Sequence, residues 1–488
     1  MTKQHYLFLP LVVAGSLVLT GCFGGSSSSD NGEASQVRVI HASPDAPAVN
    51  VTVDDDVVVE GANYKSVAQL DQDTGTYSVG IDAVLPDGSS TVLGPLELNV
   101  EDDTRYEVIA VGSVADESLD ALVFPYSDET FESETDVRLR VAHLAGAAGD
   151  VDVYLSDPAD DAFDIGEAEP NLSLVYGDLA DPVDVPEGDY RIQVTAAGDD
   201  EVVFDSGAIS LNAGDDLLLG AVTNTGANAD ASPISLLVVD GDEVSEIYDA
   251  DQYAGVRVVH NSADASNVDL YLDGELSAIT DLAFTEVAPE QSGRDSYTAL
   301  PGDDVAVAVS ATGQAADDAV IEADLALSNG QGYTIIAVGL LDDIEALVLE
   351  DGSRSIATQA SLRVVHGSTQ AGNVDVYLLE PGAEIGNAEP VLADVAFRDA
   401  SDYLAVAEGD YDIVVAFAGA EEAFRVAGVT LDAGGVYTAI ARDEEGGTGV
   451  ADEFILVDDF TADALEEADA TVDDAIDAVA DAIEEAFE

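Results

Sequence analysis

Residues 37–55 read VRVIHASPDAPAVNVTVDD. Val37-Arg38-Val39-Ile40-His41 is an apolar run broken by one arginine and closed by a histidine, and a Ser-Pro-Asp-Ala-Pro turn follows. Val49-Asn50-Val51-Thr52-Val53 then alternates apolar and polar residues, the period-two pattern of a strand with one buried face. The stretch predicts two strands joined by a tight loop. The pair recurs three times: Arg140-Val141-Ala142-His143 before Val151-Asp152-Val153-Tyr154, Arg257-Val258-Val259-His260 before Val268-Asp269-Leu270-Tyr271, and Arg363-Val364-Val365-His366 before Val374-Asp375-Val376-Tyr377. The histidines at 41, 143, 260 and 366 stand 102, 117 and 106 residues apart. That is the spacing of domains rather than of solenoid repeats.

Each unit continues in strands. A Gly-led strand follows (Gly75 to Val79, Gly188 to Ile192, Gly302 to Ala306, Gly409 to Ile413), then a nearly all-apolar one (Tyr106 to Val111, Leu217 to Val222, Tyr333 to Val338, Tyr437 to Ala441). Turns such as Pro86-Asp87-Gly88 and Asp240-Gly241-Asp242 separate them. About seven short strands per unit without strong helices predict an all-β chain of four tandem immunoglobulin-like antiparallel β-sandwich domains. Tyr106, Tyr333 and Tyr437 take a tyrosine-corner position; the second unit has Leu217 there. The predicted repeats are 36–128, 136–247, 255–351 and 360–458. Linkers of about ten residues between them suggest a rod with limited bending.

The ends differ from this body. Lys3 precedes an apolar stretch from Tyr6 to Leu19 that is too short to span a bilayer comfortably, which predicts a signal peptide over 1–21. Leu19-Thr20-Gly21-Cys22 contains the chain's one cysteine and resembles the bacterial lipobox, which implies lipidation of Cys22. Phe23 rather than Asp follows it, which in that resemblance favours the outer membrane, facing either the periplasm or the cell surface. Residues 22–35 read as a flexible tether. Leu465, Ala468, Val472, Ile476, Val479, Ile483 and Phe487 recur at steps of three and four, so 461–488 is expected to form an amphipathic acidic helix, docked, frayed or self-associating.

The 100 acidic residues against 14 basic ones leave a formal net charge of -86. Such a body will not bind nucleic acid through its phosphates or adhere to an anionic membrane face. With 47% apolar residues, simple disorder is also excluded. Lysine is confined to Lys3 and Lys65, and the charge suits an exported protein of a salty environment, in which cations screen self-repulsion. The competing reading is a calcium-dependent adhesin, with junction carboxylates such as Asp240 to Glu246 and Asp249 to Asp251 as ligands; Asp71 to Asp82 fails the EF-hand pattern.

The 37–55 stretch is similar to the opening of a bacterial β-sandwich domain of unknown function found in tandem in lipoproteins and surface proteins. The resemblance implies a fold and an envelope location and carries over no catalytic residue. His41, Ser43 and Asp45 sit at alternate positions about 7 Å apart on one strand, too far for a catalytic relay. One histidine per unit with a nearby Asp is thin for zinc, so no metal ligands and no catalytic residues are assigned. Arg38, His41, Arg140, His143, Arg257, His260, Arg363 and His366 are expected to be structural: each His bonds a loop and each Arg pairs with a carboxylate. Three positions apart on a strand, Arg and His face opposite ways. The function expected is a non-enzymatic interaction module with an unidentified protein or glycan partner; the alternative is a binding module for a glycan, a small ligand or a divalent cation such as calcium.

Overall fold

The computed structural model describes residues 35–458 apart from 128, 161, 290–296, 303, 353, 387 and 418–420. The predicted signal, nearly all of the tether and the 461–488 helix lie outside the described residues. What is described is all-β and falls into eight small sheets.

The first unit has β1 (Ser35–His41), β2 (Val49–Val53), β3 (Asp56–Ala62), β4 (Val67–Gln72), β5 (Gly75–Leu85), β6 (Gly88–Val100), β7 (Thr104–Val111) and β8 (Asp120–Ser127). They form two sheets, β4-β1-β7-β8 and β3-β2-β5-β6. Val37, Val39, Tyr106 and Val108 of the first sheet pack on Val51, Val79 and Leu98 of the second. The sandwich class stands, but the count of about seven strands and the all-antiparallel pairing are corrected. There are eight strands here, and β1 runs parallel to β7, pairing Arg38 with Glu107 and His41 with Ala110. Every connection reverses the chain, and six reversals separate β1 from β7. Side by side, they must point the same way. The same parallel pair recurs between Asp136–His143 and Asp216–Thr223, Ala254–Asn261 and Gly332–Val338, and Ala360–His366 and Val436–Asp443.

The corner tyrosines hold the turn before each of three parallel strands. Tyr106 donates its hydroxyl to the Asn99 carbonyl at 2.9 Å, while the Ser328 and Asp432 amides donate to Tyr333 and Tyr437 at 3.1 and 3.4 Å.

The rod is also corrected. In Leu217 to Val222, Leu217, Leu219 and Ala221 enter the unit's own core. Leu218 and Val222 face the other way, onto Ile40, Ala42, Ile109 and Val111 of the first unit. Val259, Ile336 and Val338 meet Val365, Ile440, Ile455 and Val457 likewise. The sheet carrying each Arg-x-x-His strand is therefore covered on both faces. That is why the strand beside it reads as continuously apolar: a solvent-facing sheet would alternate. The chain also closes back on itself. Ala227 packs with Tyr297 and Val436, Ala357 donates to the Asp45 carbonyl at 2.9 Å, and Arg354 donates to the carbonyls of Pro44 and Ala46. The short linkers bring neighbours together face to face instead of end to end because apolar sheet faces remain to be buried.

Candidate functional site

The repeated strand places its two marked residues on opposite faces. In β1, Val37, Val39 and His41 point into the unit's own side, while Arg38 and Ile40 point into the stack between units.

All four histidine rings make the same contact. Nε2 meets the carbonyl six residues on: Pro47 for His41 at 3.1 Å, Gly149 for His143, Ser266 for His260 at 3.1 Å and Gly372 for His366 at 3.0 Å. A carbonyl only accepts, so Nε2 carries the proton. Nδ1 of His41 and of His260 then accepts the amide of Ser43 and Ser262 at 3.3 Å. An aromatic ring stands edge-on to each imidazole: Tyr64, Tyr176, Phe284 and Phe397. Burial pushes His41 down to about 4, with the Pro47 contact opposing, and lowers His260 as well. His41 and His260 are thus neutral loop staples, and His143 and His366 make the same loop contact. Asp45 does not complete a relay. Its carboxylate accepts Ser113 Oγ at 2.7 Å and the Val114 and Ala115 amides at 2.9 Å, bracing the loop after β7. Asp264 does the same for Leu341, and in the fourth unit the roles reverse, Asp443 receiving Ser368, Thr369 and Gln370.

The arginines meet between stacked sheets. Arg38 donates Nε to Glu107 Oε2 at 2.8 Å and Nη1 to the Gly241 carbonyl of the next unit at 3.3 Å. Glu107 is fully buried and also accepts Tyr126 Oη at 2.7 Å. Arg140 forks onto Asp216 at 2.7 and 3.2 Å and lies 4.4 Å from the centre of the Tyr126 ring. At the second stack Arg257 and Arg363 lie against one carboxylate, Asp351, which no solvent reaches. Arg257 Nη2 is 3.6 Å from Asp351 Oδ2, and that oxygen also accepts Thr334 Oγ1 at 2.6 Å and Tyr297 Oη at 2.8 Å. Arg363 reaches Asp351 Oδ1, the Glu350 carbonyl at 2.9 Å and Thr438 Oγ1 at 3.0 Å. Tyr297 and Tyr403 lie under the two guanidinium planes at 4.9 and 4.8 Å.

Sequence reasoning missed the partners Glu107, Asp216, Asp351 and Tyr126. A signal existed. Glu107, Thr334 and Thr438 are the polar second residues of otherwise apolar strands, and each stands in register opposite its arginine. Also missed was a joint where three segments meet. Lys65 pairs with Glu246 between the rings of Tyr64 and Tyr248, and Arg354 lies over Tyr64. Burial pulls Lys65 down against the pull of Glu246, and pulls Arg354 down to about 10. Two of the carboxylates expected at the junction as calcium ligands are occupied in this way: Glu246 by Lys65, Ser235 and Tyr248, and Asp249 by the Asp205 and Asp251 amides. Among the described residues no group of three or more His, Cys, Asp or Glu is arranged to hold a metal ion.

Fold and site together define a protein of stacked β-sandwiches in which the repeated Arg-x-x-His strand is a structural joint. The chain belongs to the family described as a domain of unknown function, DUF4397, which matches residues 35–154 and 254–377, together half of its length. Each matched segment runs from one arginine strand through the next, and so contains both arginines of one stack. A search of curated proteins found no match.

Proposed function

We propose that this is a lipoprotein anchored in the outer membrane through Cys22, whose four domains (36–128, 136–247, 255–351 and 360–458) form a non-enzymatic interaction body adapted to high salt. The observation that carries the reading is the burial of the repeated chemistry. Each arginine and histidine of the repeated strand is buried inside the scaffold. What remains for a partner is the outer sheets, the loops and the acidic surface. The reading is display of that surface to a protein or glycan, either in the periplasm or at the cell exterior.

Labelled palmitate should enter the wild-type chain and not Cys22→Ala, and protease treatment of intact cells decides which side the body faces. Failure of labelling would overturn the anchor. Capture of a partner on a glycan array or by pull-down, lost when outer loops are exchanged, would support display. The second reading, a binding module, is favoured by one observation, a cavity in the second unit. A divalent cation such as calcium as its ligand is tested by titration at low salt, where a saturable rise in thermal stability at millimolar calcium would favour that form of it.

A further inference from the structure

The second unit comprises β9 (Asp136–His143), β10 (Val151–Ser156), β11 (Leu172–Leu174), β12 (Val183–Pro186), β13 (Gly188–Ala196), β14 (Val202–Leu211), β15 (Asp216–Thr223), β16 (Ile234–Asp240) and β17 (Glu243–Ile247). Its sheets are β11-β10-β13-β14 and β12-β9-β15-β16-β17. β11 and β12 are thus the free edges on one side of the sandwich, and they are only three and four residues long. Between the sheets lies a cavity of about 140 Å³. Val141, Val153, Leu174, Ile192, Val194 and Leu219 are among the side chains that line it. The solvent-exposed Asn171, Asp181 and Val183 also border it, which sets its mouth between the two edge strands.

We propose that this slot binds a small uncharged molecule with an apolar body of about six carbons and a polar end, the body between the sheets and the polar end at Asn171 and Asp181. Three observations support it. An apolar cavity of about 150 Å³ stays dry in water and takes up a benzene-sized guest, so a void this large and this apolar is a binding volume. The edge strands that would seal it are too short to do so, so a guest can enter without opening the core. The carboxylate at the mouth and the net charge of -86 repel an anionic head group, which selects a neutral end over a fatty acid. This inference stands apart from the display reading: the slot can be empty while the surface is still displayed, and the reverse.

The test is calorimetric titration of the full chain with n-hexanol and with hexanoate at pH 7 and low salt, beside Val153→Phe, which fills the slot, and Val183→Lys, which places a positive charge at its exposed mouth. Hexanol should bind saturably with one site, hexanoate at least about tenfold more weakly. Val153→Phe should lose hexanol binding, and Val183→Lys should narrow the gap between the two ligands. No saturable heat with hexanol, or equal affinity for hexanol and hexanoate in the wild type, overturns the proposal. If Val153→Phe misfolds, Val183→Lys decides: an unchanged hexanol-to-hexanoate ratio there also overturns it.

Discussion

The two stacks are built from the same strands but handle their arginines differently. Between the first and second units each guanidinium has its own carboxylate, Glu107 for Arg38 and Asp216 for Arg140, and Tyr126 touches both assemblies. Between the third and fourth units one carboxylate, Asp351, serves Arg257 and Arg363 together. In the third unit Thr334 stands in the register position of Glu107, so the acid comes from the end of the neighbouring strand, where one residue reaches both cations. Sharing concentrates the risk. A buried charge that loses a partner costs far more than the intact pair contributes, so one substitution in the second stack takes a contact from two cations at once.

The largest expected effect follows from that. Asp351→Asn, which takes a carboxylate contact from two guanidiniums, should cost about 5 kcal/mol of unfolding free energy, and Glu107→Gln, which takes one from a single guanidinium, about 3 kcal/mol. Denaturant titration of both variants reads the difference, and equal losses would mean that sharing has no consequence. Next comes the apolar layer of each stack. Leu218→Ala and Ile336→Ala should each cost about 2–4 kcal/mol. Because these side chains join units and do not fill a single core, calorimetry should then show the separated units melting in two steps. A single sharp transition would mean that the units stay coupled without these side chains, so that this layer is not what joins them.

Salt acts elsewhere. Raising it from about 0.05 to about 2 M should increase the thermal midpoint of wild type and of Asp351→Asn by similar amounts, since screening relieves repulsion among exposed carboxylates and hardly touches buried pairs. An unchanged midpoint would remove the high-salt reading of the charge.

The smallest effect is that of pH, and it compares the first and third units. His41 and His260 have folded values below the ordinary 6.5. The unfolded chain then binds more protons, so the stability each neutral ring provides is complete above about 6.5 and is lost as pH falls below it, for His41 toward about 4. For His41 this is about 1 kcal/mol at pH 5.5. His41→Gln should therefore melt with a shallower pH dependence than wild type between pH 7.5 and 5, and identical slopes would refute the assignment of a neutral imidazole.

Much of this was legible in the residues. The period-two pattern of Val49 to Val53 and its counterparts identifies strands, the recurring Arg-x-x-His identifies the units, and strand geometry separates the arginine face from the histidine face. The stacking was less legible. Tyr333 to Val338 is as apolar as a strand buried on both faces must be, but that run does not say what covers the second face. Nor does the sequence order place Asp351 with Arg257, 94 positions earlier, because the pairing depends on two sheets from different units lying face to face.

By itself, then, the sequence determined the all-β class, the unit repeat, the opposite facing of arginine and histidine and the acidic composition. Each follows from local periodicity and composition, which a single strand already expresses. Only the tertiary structure decided that the units stack and close on one another, which carboxylate meets which arginine, and where a slot opens beside short edge strands. Those outcomes depend on which apolar faces find one another, and burial is a property of the assembled surfaces that no strand carries alone.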